Sequence, residues 1–145
     1  MVEGTRAIKG VCTLTTAIVI DDDYDTTELL SDLLQLKKIQ VLDKGYNGKD
    51  AVDLYRKLNP DVVFLDVIMP HYDGFYGLEK IKQLNPDAVI IMVTADLSRD
   101  TEDKLQKLKA SAIIFKPYDI NHLTETTLQV LKKQVDRTLK IENRW

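Results

Sequence analysis

Five short apolar runs, rich in β-branched residues, alternate with stretches of helical spacing, and that alternation confines the chain to a narrow set of folds. The runs cover residues 16–20, 39–42, Val62–Leu65 (VVFL), 88–93 (AVIIMV) and Ala112–Phe115 (AIIF). Between them, residues 26–37 carry Leu29, Leu30, Leu33 and Leu34, and Asp25-x-x-Glu28 reads as a capping box. Gly48–Leu58 follows Asn47 as its cap and gathers Ala51, Val52, Leu54, Tyr55 and Leu58 on one face. Residues 75–84 repeat Phe75, Leu78, Ile81 and Leu84, and stop before Asn85-Pro86 because the residue ahead of a proline avoids the helix. Residues 98–108 and a long segment from about Asp119 complete the set. A strand followed by a helix, five times over, reads as a parallel sheet wrapped on both faces. Strands with almost no polar residue fit burial on both sides. The expected architecture is an open, doubly wound α/β sandwich of five parallel strands.

At 145 residues the chain suffices for one domain with a core of its own. Its apolar runs are far shorter than the roughly 20 residues that a membrane helix needs. No continuous apolar stretch follows the early cations of MVEGTRAIKGVCTL, so the start does not read as a secretory signal and a cytoplasmic location is expected. Cys12, the only cysteine, excludes an internal disulfide or a thiolate metal site and reads as a small semi-buried apolar residue. The net charge of −3 lacks the basic footprint of a nucleic-acid binder. The expected division is an N-terminal extension at 1–14, a folded domain at 15–133, and at 134–145 an extension of the last helix or a tail.

Ligands of such sheets bind beyond the carboxyl ends of the strands, where strand order reverses. There the first run ends in Asp21-Asp22-Asp23, the third in Asp66, the fourth in Thr94 and the fifth in Lys116-Pro117. Neighbouring strands lie about 4.8 Å apart, so these ends converge on one small cleft. Asp21, Asp22, Asp23 and Asp25 repel one another, by on the order of 4 kcal/mol for a pair about 4 Å apart in a half-exposed site. A cation relieves that repulsion. Carboxylates suit a hard divalent ion, while a threonine hydroxyl and a lysine ammonium suit phosphoryl oxygens, which makes Mg2+ (or Mn2+) the candidate.

IVIDDD, VVFLDVIMPHYDG, IIMVTA and IIFKPY, in that order, resemble the receiver domain of two-component response regulators, over roughly residues 15–133. The resemblance implies the flavodoxin-like strand order 2-1-3-4-5 and a phosphorylation-dependent signalling receiver that catalyses only its own phosphorylation and dephosphorylation. It implies Asp66 as the phosphoacceptor, a carboxylate nucleophile that becomes an acyl phosphate. It assigns the metal to Asp21, Asp22, Asp66 and the backbone carbonyl of Ile68, and the phosphoryl oxygens to Thr94 and Lys116. By the same resemblance the donor is a phosphohistidine on a sensor histidine kinase or phosphotransfer protein. The target is a protein docking on the face made by the fourth helix, fifth strand and fifth helix, with neither membrane nor nucleic acid bound by the domain itself. Ile68 and Asp96 stand at loop positions that tune phosphate lifetime in the family. Two positions depart from its pattern: Ile113 replaces a usual aromatic residue, and Lys109 a common glycine.

Rival readings of the acidic stretch fit less of the chain. A calcium loop laid on Asp21, Asp23 and Asp25 meets Thr26 where it needs glycine and Asp32 where it needs glutamate. A haloacid-dehalogenase-like Mg2+-dependent phosphohydrolase, with its nucleophile among Asp21–Asp25, accounts for Asp23-Tyr24-Asp25-Thr26-Thr27 but leaves VVFLDVIMP without a role. A receiver degenerate at its site and kept for docking is disfavoured because every key position is filled. Leu128, Leu131, Val135 and Leu139 carry the last helix past the domain body, so pairing into a homodimer through it is a further expectation.

Overall fold

The computed structural model of the chain describes residues 14–142. The elements run β1 (Thr15–Ile20), α1 (Tyr24–Leu36), β2 (Ile39–Gly45), α2 (Gly48–Leu58), β3 (Val62–Leu65), α3 (Gly74–Leu84), β4 (Ile90–Thr94), α4 (Arg99–Lys107), β5 (Ala112–Phe115) and α5 (Ile120–Glu142). All neighbouring strands pair in parallel, in the order β2-β1-β3-β4-β5. The expected fold class and strand order are therefore the observed ones. The expected N-terminal extension lies, apart from Leu14, outside the described residues, as does Cys12.

Alternation along each strand sends side chains to opposite faces and builds two cores. Ile18, Ile20, Val63, Leu65, Ile90 and Met92 pack beneath α2, α3 and α4, against Ala51, Tyr55, Leu78, Ile81 and Leu105. Ala17, Val19, Phe64, Ile91 and Ile114 pack on the other face against Leu30 and Leu34 of α1 and Leu123 of α5. Most of these side chains are fully enclosed. Removing that apolar area from water, at roughly 25 cal/mol per Å2, is the main driving force for the sandwich.

Two local expectations need correction. The first helix is capped by Asp23, whose side chain accepts from the Asp25 N–H, and not by Asp25, which lies inside the first turn. Leu29 is 59% exposed; the buried stripe of α1 is Thr27, Leu30, Ser31 and Leu34, with small hydroxyl residues where α1 meets the sheet. Asp73-Gly74 is the start of α3: Asp73 caps it by accepting from the Tyr76 N–H, and Gly74 is its first residue. A Cβ on Gly74 would lie 2.1 Å from the carbonyl oxygen of Asp66, so only glycine fits where α3 begins against that backbone. Lys109 adopts φ 67°, the left-handed conformation that the glycine common at this position would accept without strain.

Candidate functional site

Backbone pairing continues one residue past several strands and sets the functional side chains in place. The Asp21 N–H donates to the Gly45 carbonyl at 3.1 Å, the Asp66 N–H to Ile20 at 3.0 Å, and the Lys116 N–H to Thr94 at 2.8 Å. Residues at the strand tips are thus held by the ladder of the sheet rather than by free loops. Reversal of strand order between β1 and β3 leaves the helices after them on opposite faces, and the tips open into a cleft between them.

Asp21, Asp22 and Asp66 each bring a carboxylate oxygen within 4.8 Å of the others. Asp21 and Asp66 are 5% and 8% exposed, while Asp22 stands in solvent. One oxygen of Asp21 accepts from the Asp23 N–H at 2.9 Å and the other from the Lys116 ammonium at 2.7 Å. One oxygen of Asp66 accepts from the Val67 N–H at 2.8 Å, and its second lies 3.6 Å from the same ammonium. Among the described residues Lys116 pairs with Asp21 and Asp66 while Asp22 adds a third carboxylate, so the cleft keeps a deficit of positive charge.

The deficit shows in the titration of the groups. Burial, then the charge of Asp21, pushes the Asp66 carboxyl up to about 6, with Lys116 and the Val67 amide pulling the other way. Burial and the neighbouring Asp21 also raise Asp22. Burial alone would lower the Lys116 ammonium, but its hydrogen bond to Asp21 and the charges of Asp66 and Asp21 outweigh that and raise it. A carboxyl raised by desolvation and a like charge gains from any cation that enters.

The set of donors fits a hard divalent ion: three carboxylates and no sulfur or imidazole ligand. Ile68, whose carbonyl was the fourth expected ligand, lies in the loop after β3 with its side chain 64% exposed. Thr94 is fully buried at the end of β4, and its Oγ1 accepts from the Asp96 N–H at 3.0 Å, leaving its own hydroxyl hydrogen uncommitted by that bond. Asp23 spends its carboxylate on the Asp25 N–H and the Thr26 hydroxyl, both within the start of α1. That commitment disfavours the calcium-loop and phosphohydrolase readings, in which Asp23 faces the metal or substrate. The sequence reading left unseen the bonding around Asp96, which accepts from the Ser98 N–H and the Thr101 hydroxyl. Its signal is the spacing Asp96-x-Ser98-x-x-Thr101, two capping residue types ahead of a helix.

Comparison with known proteins shows the family of the chain. Residues 17–128 match the family model for the response regulator receiver domain. The chemotaxis protein CheY of Halobacterium salinarum is 30% identical over 114 residues, covering 79% of this chain and 94% of that one. Among solved structures, the CheX-CheY-BeF3-Mg+2 complex from Borrelia burgdorferi aligns with TM-score 0.76 at 25% identity, covering 80% of this chain and 88% of that chain. A DNA-binding response regulator of the LuxR family from Staphylococcus aureus aligns with TM-score 0.77 at 28% identity, covering 81% and 99%.

Proposed function

Because this chain belongs to the response regulator receiver domain family, we propose that it is a signalling receiver that takes a phosphoryl group from a phosphohistidine donor onto Asp66. The observation that carries the reading is the convergence of Asp21, Asp22 and Asp66 beside Lys116 at the tips of three strands. Asp21, Asp22, Asp66 and the Ile68 carbonyl would hold Mg2+. When bound, that ion neutralises charge on the phosphoryl oxygens. A relative whose structure carries BeF3 and Mg+2 supports the reading.

The chain's own residues divide the remaining work. The Asp66 oxygen facing Lys116 attacks phosphorus; a P–O bond forms as the P–N bond to the donor histidine breaks, and the departing imidazole nitrogen keeps the electron pair. With its carboxyl near 6, Asp66 is largely ionised at neutral pH, as attack requires. Lys116 is already charged and needs only to shift from Asp21 toward the incoming phosphoryl oxygens. Thr94 donates its hydroxyl to one of those oxygens. Transfer of this kind depends on alignment and charge neutralisation, and this set of groups supplies both. Output goes to a protein target on the face of α4, β5 and α5, where Leu97, Phe115 and Leu128 are 71%, 39% and 52% exposed.

The test is labelling with acetyl phosphate and Mg2+, followed by intact mass and peptide mapping. One phosphoryl group on Asp66, absent from Asp66→Asn, is expected. A label on Asp21 or Asp23 would transfer the chain to the phosphohydrolase reading, and an Asp66→Asn protein that labels like the parent would end the receiver reading.

A further inference from the structure

We infer that the segment 1–13, which lies outside the described residues, docks in a cavity at the amino ends of the strands and clasps α5 to the base of the sheet. The cavity measures about 400 Å3. Its walls include Thr15, the first residue of β1, Pro60 and Asp61 ahead of β3, Asp87 ahead of β4, and Leu131 of α5, with Val135 at the rim. The strands run parallel, so their amino ends share this side of the sheet, while Asp21, Asp66 and Lys116 follow the carboxyl ends on the other. A volume of roughly 300–1,000 Å3 is usual for a binding site. None of the residues assigned to phosphoryl transfer lines this one. The wall that α5 supplies is also the part of the helix least held by the core: among the described residues, no side chain of α5 after Thr127 is fully buried.

Continuity, composition and charge choose the occupant. Thr15 is itself in the wall, so the chain ahead of it departs from the cavity. At no more than about 3.6 Å per residue, Val11 stays within about 15 Å of Thr15 and Arg6 within about 33 Å. A tether that short keeps the segment at a local concentration in the millimolar range and costs little closure entropy. Ala7, Ile8 and Val11 supply apolar side chains for a site where Val135 and the adjoining Leu14 are 57% and 50% exposed. The lining carries two carboxylates, Asp61 and Asp87, and no cation, whereas the segment carries Arg6 and Lys9 against Glu3 alone. Asp61 is half-buried and fixed, accepting from the Thr16 N–H at 2.8 Å and the Thr16 hydroxyl at 3.1 Å, so its charge is screened less than one in open water. Two cations of neighbouring elements are committed elsewhere. Lys82 donates to the carbonyls of Ala88 at 2.7 Å and Pro86 at 3.4 Å, and Arg137 to the side chain of Gln134 at 2.7 Å.

The experiment uses the full chain and follows amide hydrogen exchange at residues 131–135 of α5, with residues 62–65 of β3 as internal reference. Ile8→Asp should quicken exchange at 131–135 about tenfold, the effect of losing one buried aliphatic contact, and leave β3 unchanged. Arg6→Glu combined with Lys9→Glu should quicken it about threefold, as loss of partly screened ion pairs does. Asp87→Lys alone should loosen the same residues, yet added to the Arg6→Glu and Lys9→Glu chain it should bring exchange back toward the parent, because partners in contact fail to add. Unchanged exchange in Ile8→Asp, equal quickening in β3, or charge reversals that simply add would each overturn the docking of this segment. So would protection at 131–135 that grows with protein concentration, which would put a second copy in the cavity. Protection lost after unfolding in urea and refolding into fresh buffer would put a small molecule there and overturn it equally. None of these readings depends on whether Asp66 accepts a phosphoryl group.

Discussion

Asp66 is in tension at neutral pH. In the folded chain its carboxyl titrates at about 6, against an ordinary value of 3.8, chiefly because burial and Asp21 disfavour its charged form. Between those two values the folded state binds more protons than the unfolded state, so stability falls as pH rises through that window. Above pH 6 the native carboxylate therefore costs stability, by about 2 kcal/mol once screening in a partly open cleft is allowed for. Asp66→Asn removes the charge and keeps an oxygen for the Val67 N–H. Measured by urea midpoints without divalent ions, Asp66→Asn should be more stable than the parent at pH 7.5, and the difference should shrink as pH falls from 7 to 4. A difference that stays flat, or grows on acidification, would contradict this account of the site. The strain is the counterpart of function, because a carboxylate that is uncomfortable when free gains most from a cation that enters beside it.

At the scale of elements, the start of α3 is built on the backbone of Asp66. A Cβ at Gly74 would meet the Asp66 carbonyl oxygen at 2.1 Å, the Val67 Cα at 2.7 Å and the Asp66 carbonyl carbon at 2.9 Å. None of these atoms can rotate away. Gly74→Ala should destabilise the domain by about 3 kcal/mol and reduce Asp66 labelling, because the strand tip has to move. Gly77→Ala, three residues on, meets the flexible Leu65 Cδ2 at 3.2 Å and gains helix propensity, so it should change stability by less than about 1 kcal/mol. Similar thermal midpoints for the two variants would dismiss the distinction. Legibility in the sequence follows the same division. The run VVFL coincides with β3 because a strand buried on both faces shows as unbroken apolar sequence, while AIIF coincides with β5, an edge strand that is apolar throughout although only Ile114 in it is fully buried. Residues 88–93 misplace β4, whose pairing starts at Ile90 and runs to Thr94, because Ala88 and Val89 are buried without joining the strand. Leu29 misled because four leucines in a row of six positions cannot say which faces inward, whereas burial of Thr27 and Ser31 depends on the close approach of α1 to the sheet. The convergence of Asp21, Asp22 and Asp66 was legible from strand ends alone. The bonds of Asp96 were not, since they depend on how tightly one loop turns.

For the molecule as a whole, the cleft and the stability of the sheet are one system. Asp21, Asp66 and Lys116 sit on the tips of β1, β3 and β5 and are bonded into the ladder, so a ligand that draws them together reinforces the strands that carry the core. The long α5 adds exposed Leu128, Val135 and Leu139 on its outer side, but Lys132 interrupts that row, and such a short seam adds little to the fold on its own. The stabilising resource not yet used is therefore the deficit of positive charge among three carboxylates. A metal that binds the folded state alone stabilises it by RT ln(1 + [L]/Kd), about 2.7 kcal/mol at a hundredfold excess over Kd. For a domain of this size that corresponds to a rise in Tm of roughly 5–10 °C. Magnesium chloride should produce such a rise, saturating with concentration, where sodium chloride of matched ionic strength does not. Asp21→Asn and Asp22→Asn should each lose most of the shift, because each removes one of the converging carboxylates. Asp23→Asn should retain it, since the Asp23 side chain serves the start of α1 instead. An equal rise in all three variants would mean that the ion acts on the general acidity of the surface, and the assignment of the cleft as a metal centre would fall with it.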